Sequence, residues 1–381
     1  MGNTLTNLIP DIYAALDVVS RELVGFIPAV ARDPSADRVA VGQTLRIPQT
    51  PANAAGKDIA PAMAFPAASD QTIGNKSLTI TKQRAFPFSW TGEEQNAMKT
   101  GPSFLTIKQD QIAQAIRAAV NEMETDIATA GYKAASRAWG SAGTAPFASD
   151  LSDPANIKKI LDDNGAPPSD RSLVINTTAG VKVRTLTQLT NVNQAGSAVT
   201  LRQGELLNVH GFGFRESAQV QSVTKGTGAS YLVNNGAGLA IGTTAVPCDT
   251  GSGTILAGDI VTFAGDSNNK YVVAAALAAG SFTIGAPGIR VAIADNAAIT
   301  VGNNFSANLG FSRNGILLAT RLPMIPTEGD LASDRMTVTD PVTGISFEFA
   351  VYPGYRMNEY EVAIAWGVLG VKPEHIAILL G

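Results

Sequence analysis

Cysteine is almost absent from this 381-residue sequence, and Cys248 stands alone. A lone cysteine excludes an intrachain disulfide and a thiolate metal cage, so packing or neighbouring subunits must hold the fold. Histidine is nearly as scarce. His210 and His375 are far apart, with neither a carboxylate cluster nor cysteines at ligand spacing, so zinc and facial-triad patterns cannot be assembled from sequence neighbours. Charge is sparse too, at 16% Asp, Glu, Lys and Arg with a formal net charge of −4. Without clustered Lys and Arg the chain has no means of gripping a polyanion by phosphate neutralisation. No stretch approaches the roughly 18 apolar residues of a membrane span, and Met1–Pro10 lacks the basic-then-apolar layout of a signal peptide. The expectation is a soluble product, made in a reducing cytoplasm, with no membrane partner.

Apolar and turn-forming residues are plentiful, at 45% hydrophobic with 37 Gly and 20 Pro. That describes a folded chain with many turns, long enough for two or three cores. Asn7–Ile27 places Leu8, Ile12, Leu16, Val19, Leu23 and Ile27 at helical spacing. Gln43–Pro48 predicts a short strand, Thr50–Ser69 is rich in Ala, Pro and Gly, and Lys76–Trp90 alternates through Leu78, Ile80, Phe86, Phe88 and Trp90. The excursion between these strands is longer than connections inside compact domains. Thr106 with Gln109 fits a capping box. From there Ile112, Ile116, Val120, Met123, Ile127 and Gly131 keep one stripe toward Trp139, a helix on the order of 50 Å long.

Pro154–Asp163 and Thr178–Leu189 predict shorter helices flanking a strand at Ser172–Asn176, an α/β alternation. Between Gly226 and Asn303 the runs Tyr231–Val233, Gly238–Ile241, Asp259–Ala264, Tyr271–Ala275 and Ser281–Ile284 are separated by Gly, Asn and Asp. Such runs predict a small all-β barrel or sandwich inserted into the α/β part. Strands follow at Gly315–Thr320, Arg335–Thr339 and Gly344–Tyr352, then apolar runs at Glu361–Gly370 and His375–Leu380.

Reactive patterns are missing. The pairs Gly211/Gly213, Gly226/Gly228 and Gly251/Gly253 lack the strand–glycine–helix context of a phosphate cradle and predict tight turns. Glu93/Glu94 and Asp162/Asp163 are sequence neighbours, whose side chains point apart on a helix, so they predict terminal or solvated charges rather than an acid/base pair. Lys57, Lys76 and Lys82 lie in or beside the long excursion, where they could face carboxylates of another subunit.

Three segments carry a family resemblance: Val209-His-Gly-Phe-Gly-Phe-Arg-Glu-Ser217, Ile255-Leu-Ala-Gly-Asp-Ile-Val-Thr-Phe-Ala-Gly265, and Asn314-Gly-Ile-Leu-Leu-Ala-Thr-Arg-Leu-Pro323 taken with Ala365-Trp-Gly-Val-Leu-Gly-Val-Lys-Pro-Glu374. With the element order, they make the chain resemble the tailed-bacteriophage major capsid proteins of the Hong Kong 97-type fold, in particular podophage coat proteins with an inserted β-barrel. The resemblance implies an α+β fold with a spine helix, an extended loop, peripheral and axial domains, and a small all-β insertion. It divides the chain into an N-terminal arm (1–42), the extended loop and peripheral strands (43–102), the spine helix (103–152), the first axial part (153–225), the insertion (226–303) and the C-terminal strands (304–381). The insertion departs from the family in being short and rich in Gly and Ala.

The resemblance further implies no enzymatic activity, cofactor or metal. It implies assembly into hexamers and pentamers of an icosahedral shell around double-stranded DNA, which is enclosed without sequence-specific binding. Expected partners are other copies of the chain, a scaffolding protein and a portal, with room for a decoration protein. The expected location is the virion, after assembly in the host cytoplasm. Lys57, Ile59, Met63, Phe65 and Lys76 become candidate intersubunit contacts of the extended loop, and Ile112, Ile116, Val120, Met123 and Ile127 the core stripe of the spine helix. Two alternatives stand beside this. One is a carbohydrate-binding or surface adhesion module, suggested by the Gly/Asn/Thr-rich β segment with Tyr231 and Tyr271. The other, weaker one is an α/β enzyme, resting only on the alternation in residues 153–224.

Overall fold

A computed structural model of the chain describes residues 23–49, 61, 73–98, 103–191, 208–339 and 344–381. β1 (Ala31–Val39) leads to a hairpin of β2 (Thr44–Gln49) and β3 (Gly74–Thr79), then β4 (Lys82–Thr91), a short helix α1 (Gly92–Met98) and the long helix α2 (Ser103–Ala134). β5 (Arg137–Trp139), α3 (Ser152–Asp163), β6 (Arg171–Ile175), α4 (Thr177–Thr185), α5 (Thr187–Thr190), β7 (Phe212–Glu216) and β8 (Ser222–Val223) follow. Next come β9 (Tyr231–Val233), β10 (Ala245–Asp249), β11 (Ile260–Phe263), β12 (Asp266–Ala278), β13 (Ser281–Ile284) and β14 (Ala298–Val301). The chain closes with β15 (Phe305–Ser312), β16 (Ile316–Pro323), β17 (Asp334–Thr339), β18 (Ser346–Gly354), β19 (Met357–Gly370) and β20 (Ile376–Leu380). The class is α+β.

β19 organises the first sheet. Along one edge it pairs with β18 and then β16, along the other with β4, while β17 extends the sheet past β18 and β1 lies parallel to β16. Strand alternation turns Tyr360, Val362, Ile364 and Trp366 to one face. There they share a core with Phe347, Phe349, Val351 and Val338 and with the α2 residues Ile112, Ile116, Val120, Met123 and Ile127. All five of those helix residues are buried. Gly131 continues the stripe because a Cβ there would press on Leu309 and would lie 3.1 Å from Ile316 Cδ1.

The second sheet runs β7–β6–β15–β20–β5–β12 and then into a ring. β9, β10, β13, β12, β11 and β14 pair in that order, all antiparallel, and β14 returns to β9. The result is a closed six-stranded barrel, a closure that removes free edges. It has its own core of Val233, Val246, Val261, Phe263, Tyr271, Val273, Phe282 and Ile284, among others. Its tie to the rest of the sheet is β12, which is long enough to serve both, pairing with β5 through Lys270 and Tyr271. Buried Arg137 secures the joint, donating to Asn269 Oδ1 of β12 and to Asn164 Oδ1 at the end of α3, both at 3.1 Å.

Several boundaries differ from those expected. The long helix starts at Ser103, so Thr106 lies inside it and is not its cap, and it ends at Ala134 rather than near Trp139 or residue 152. What stops it is β20: Ser136 N–H donates to the Ile376 carbonyl at 3.0 Å, and Arg137–Trp139 then run parallel to Ala377–Leu379. The capping box of this region is instead Thr91 with Glu94 at the start of α1. Thr91 N–H donates to Glu94 Oε2 at 2.9 Å, Glu94 N–H donates to Thr91 Oγ1 at 3.3 Å, and the first of these bonds holds the Glu94 carboxyl below its ordinary range. Thr178–Leu189 is two helices broken at Leu186. Gly238–Ile241 is not a strand, since only Leu239 bridges to Ile293, whereas β10 and β14 were not foreseen. Of the expected N-terminal helix, residues 7–22 lie outside the described residues, and Leu23–Ile27 are not helical.

Ile116→Asp puts a charge into the α2–β19 core with no partner and should destabilise the subunit by on the order of 4 kcal/mol, measured by denaturant titration. Unchanged melting would show that the stripe is not core. The closed ring generates a second expectation, that a fragment spanning residues 226–303 gives a β-type circular dichroism spectrum and a cooperative thermal transition.

Candidate assembly surfaces

The β2–β3 hairpin forms a two-stranded sheet of its own, in register from Thr44 opposite Thr79 to Gln49 opposite Gly74. Its base is anchored where Leu78 and Ile80 pack with Val39, Ala319 and Ala365, and Leu45 and Ile47 lie against them. Gly367 makes this approach possible, because a Cβ there would sit 3.0 Å from Leu78 Cδ2. Toward the far end Ile73 is 68% exposed. Lys57, Ile59, Met63 and Phe65 lie outside the described residues. Lys76 lies on β3 and its ammonium donates to the Val371 carbonyl of the same chain. Lys82 also finds its partners at home: Glu122 at 3.0 Å and Asp126 at 2.8 Å, both on α2. Arg84 shares Glu122, and Trp366 Nε1 donates to Asp126 at 2.8 Å. The expectation that Lys82 faces a carboxylate of another subunit gives way to a network pinning α2 to β4 and β19.

The face of α2 turned away from that network carries a feature that spacing alone did not reveal. Glu124 is 1% exposed and accepts three consecutive backbone N–H groups, from Gly25 at 3.2 Å, Phe26 at 3.0 Å and Ile27 at 2.6 Å, together with the Ser217 hydroxyl at 2.8 Å. Burial pushes its carboxyl above the ordinary range, and these four donors pull against that. One side chain thus joins the segment before β1, the long helix and the chain leaving β7. Gly25 is required, because a Cβ would lie 2.8 Å from the Glu216 carbonyl.

The remaining sequence candidates scatter. His210 occupies a turn at φ 52°, and half-buried His375 is pushed below its ordinary value first by burial. Asp162 and Asp163 are not merely solvated, since Asp162 pairs with buried Arg171 at 2.7 Å and Asp163 lies 3.7 Å from Arg137. Among the described residues no group of three or more His, Cys, Asp or Glu could hold a metal ion, and no helix is long and apolar enough to cross a membrane. Tyr231 and Tyr271, which with their β segment suggested a carbohydrate-binding module, are buried. Their hydroxyls donate to the Gly253 carbonyl at 2.8 Å and to Asp266 at 2.6 Å. Exposed apolar side chains gather instead at the tip of the β18–β19 hairpin and the loop before β17, where Tyr355 is 88% and Leu331 84% exposed. A groove of ≈ 560 Å³ lined by Phe86, Pro87, Phe88, Ile107 and Ala115 runs between β4 and α2.

No family model matches the chain, and no curated protein matches it in sequence. Solved structures similar to it include one from Mycobacterium phage Che8, at 11% identity and TM-score 0.47, over 89% of this chain and 84% of that one. Another is from the capsid of cyanophage P-SCSP1u, at 12% identity and TM-score 0.48, over 92% and 86%. A third is from the mature capsid of bacteriophage PhiM1, at 11% identity and TM-score 0.46, over 93% and 86%.

Removing the Glu124 carboxylate strands three buried N–H donors, so Glu124→Ala should cost about 3 kcal/mol or more in denaturant titrations. Ser217→Ala should cost about 1 kcal/mol on its own and close to nothing in the Glu124→Ala background, and additive effects would show that the two do not form one junction.

Proposed function

We propose that this chain is the major capsid protein of a tailed bacteriophage, a subunit that assembles into the icosahedral shell around the double-stranded DNA genome. The observation that carries the proposal is the β2–β3 hairpin. It pairs with no other strand among the described residues, and the 50–73 connection between its strands holds Ile59, Met63 and Phe65. A connection of that length exceeds what a compact domain uses, and a lone subunit gains nothing by exposing such residues. A neighbouring copy can cover them. Lys57, Ile59, Met63, Phe65 and Lys76 are the contacts we assign to that overlap.

The remaining architecture fits a shell subunit. The β19-centred sheet with α2 serves as the peripheral domain and spine, the α3–α4 layer on β6, β15 and β20 as the axial domain, and the β9–β14 ring as the insertion. Hexamers and pentamers of the chain, a scaffolding protein, a portal and a decoration protein are the partners this role calls for. A net charge of −4 suits a wall that encloses DNA without gripping it. The role is structural, and the virion is where it is exercised. The carbohydrate-binding alternative loses its basis with Tyr231 and Tyr271 buried.

Electron microscopy of the concentrated chain, alone and with its scaffold, should show closed shells of uniform size, and their absence under all conditions would overturn the proposal. Replacing Pro51–Ala68 by a short Gly/Ser linker should leave circular dichroism and melting near normal while shells fail to form or fall apart on mild dilution. Normal shells would remove the loop from the assembly contact, and an unfolded subunit would place it in the monomer core.

A further inference from the structure

Three strand ends meet at one corner of the second sheet. β6 begins at Arg171, β7 begins beside it at Phe212, and β15 ends with Ser312 opposite Arg171. Phe212 and Phe214 turn to the core they share with Leu173, so strand alternation sends Gly213 and Arg215 to the opposite face, that of Ser172. Arg313 follows β15, where its N–H donates to the Asp170 carbonyl at 3.0 Å. Pro28 and Ala29 form a further wall, directly after the three N–H groups that Glu124 holds. With Asn208 these residues line a pocket of ≈ 400 Å³, within the range of about 300–1,000 Å³ used for small ligands.

The chemistry of the lining is one-sided. Among the described residues no hydrogen bond or ion pair engages the side chains of Arg215, Arg313, Asn208 or Ser172. Elsewhere this fold pairs its guanidiniums: Arg184, Arg321 and Arg335 each meet a carboxylate. Arg171 touches the pocket, but its guanidinium is committed to the Ala166 and Pro167 carbonyls and to Asp162. Two guanidiniums, an amide and a hydroxyl therefore offer donors to one space, and Asp170 is the single carboxylate among the lining residues. Gly213 keeps the floor open. A Cβ there would come no closer than 3.6 Å to Asn208 Oδ1, so the strand has room for a side chain and carries none.

We propose that this pocket binds a phosphate group, carried on a nucleic-acid backbone or free in solution. Guanidiniums match phosphate bidentately. A carboxylate has only two oxygens to offer, whereas a phosphate turns several acceptor oxygens toward donors that arrive from three strand ends. The inference stands apart from the shell reading, because an unassembled chain carries the whole site.

The test uses the full chain at neutral pH, with ionic strength held constant by sodium chloride. Calorimetric titration with inorganic phosphate should give a saturable isotherm. Arg215→Gln and Arg313→Gln should each weaken it about tenfold, the loss expected for one charge-assisted contact, and the double variant should not bind. Asp170→Asn removes the one like charge and should tighten binding, while asparagine tolerates the φ of 52° at that position. Gly213→Val should block the pocket with both arginines in place. Arg215, Arg313 and Asp170 are exposed, so their variants should melt as the parent does without phosphate. A fluorescent single-stranded oligonucleotide separates the two sources. Binding that phosphate displaces and the double variant loses assigns the site to the nucleic-acid backbone, and phosphate binding alone assigns it to the free ion. If neither probe binds, or the double variant binds as the parent does, the site is overturned.

Discussion

Among the described residues both large sheets are laid against one surface, the apolar face of a 32-residue helix. A helix of that length is about 48 Å long, and it cannot stand alone in water with Ile112, Ile116, Val120, Met123 and Ile127 uncovered. The β19-centred sheet covers the middle of the face, β15 and β20 cover its C-terminal end, and the sheet containing the barrel begins where the helix stops. The charged residues respect that arrangement. Glu122 and Asp126 leave the apolar face to hold Lys82, Arg84 and Trp366, so the same helix is fastened by packing beneath and by ion pairs at its flank.

Glu124 stands apart, a carboxylate taken out of water and held among the described residues by hydrogen bonds rather than by an ion pair. Burial of a lone charge is among the most costly things a fold can do, and it is tolerated here because four donors converge on it. Three of those belong to consecutive peptide groups that neither helix nor strand satisfies. The carboxylate and the stretch Gly25–Ile27 each solve the other's problem, which fixes how the chain approaches β1 and how the exit from β7 lies against the helix.

The barrel is joined to this frame by β12, by Arg137 and by Ile260 and Val272, which pack into the core of the long helix, while its own ring of strand pairings is closed. Closure gives it an interior core of its own beside that shared contact.

Periodicity by itself determined the long helix and its buried stripe, the strand character of β2, β11, β13 and β16, and the small all-β segment, because each is written in a local pattern of apolar residues at a spacing of 3.6 or 2. The scarcity of Cys, His and charge likewise followed from composition alone. Tertiary structure decided where the helix stops, since Ala135–Trp139 would continue a helix as readily as not, and pairing with β20 takes it over. It also decided that Lys82 and Asp162 are partnered within the chain, that Tyr231 and Tyr271 face inward, and that Glu124 is a junction. Asp162 meets Arg171 across a loop, Lys82 and Glu124 find partners tens of residues away, and the two tyrosines depend on a closed sheet. A hydrogen bond between Glu124 and Ile27, 97 positions apart, leaves no mark on the spacing of either.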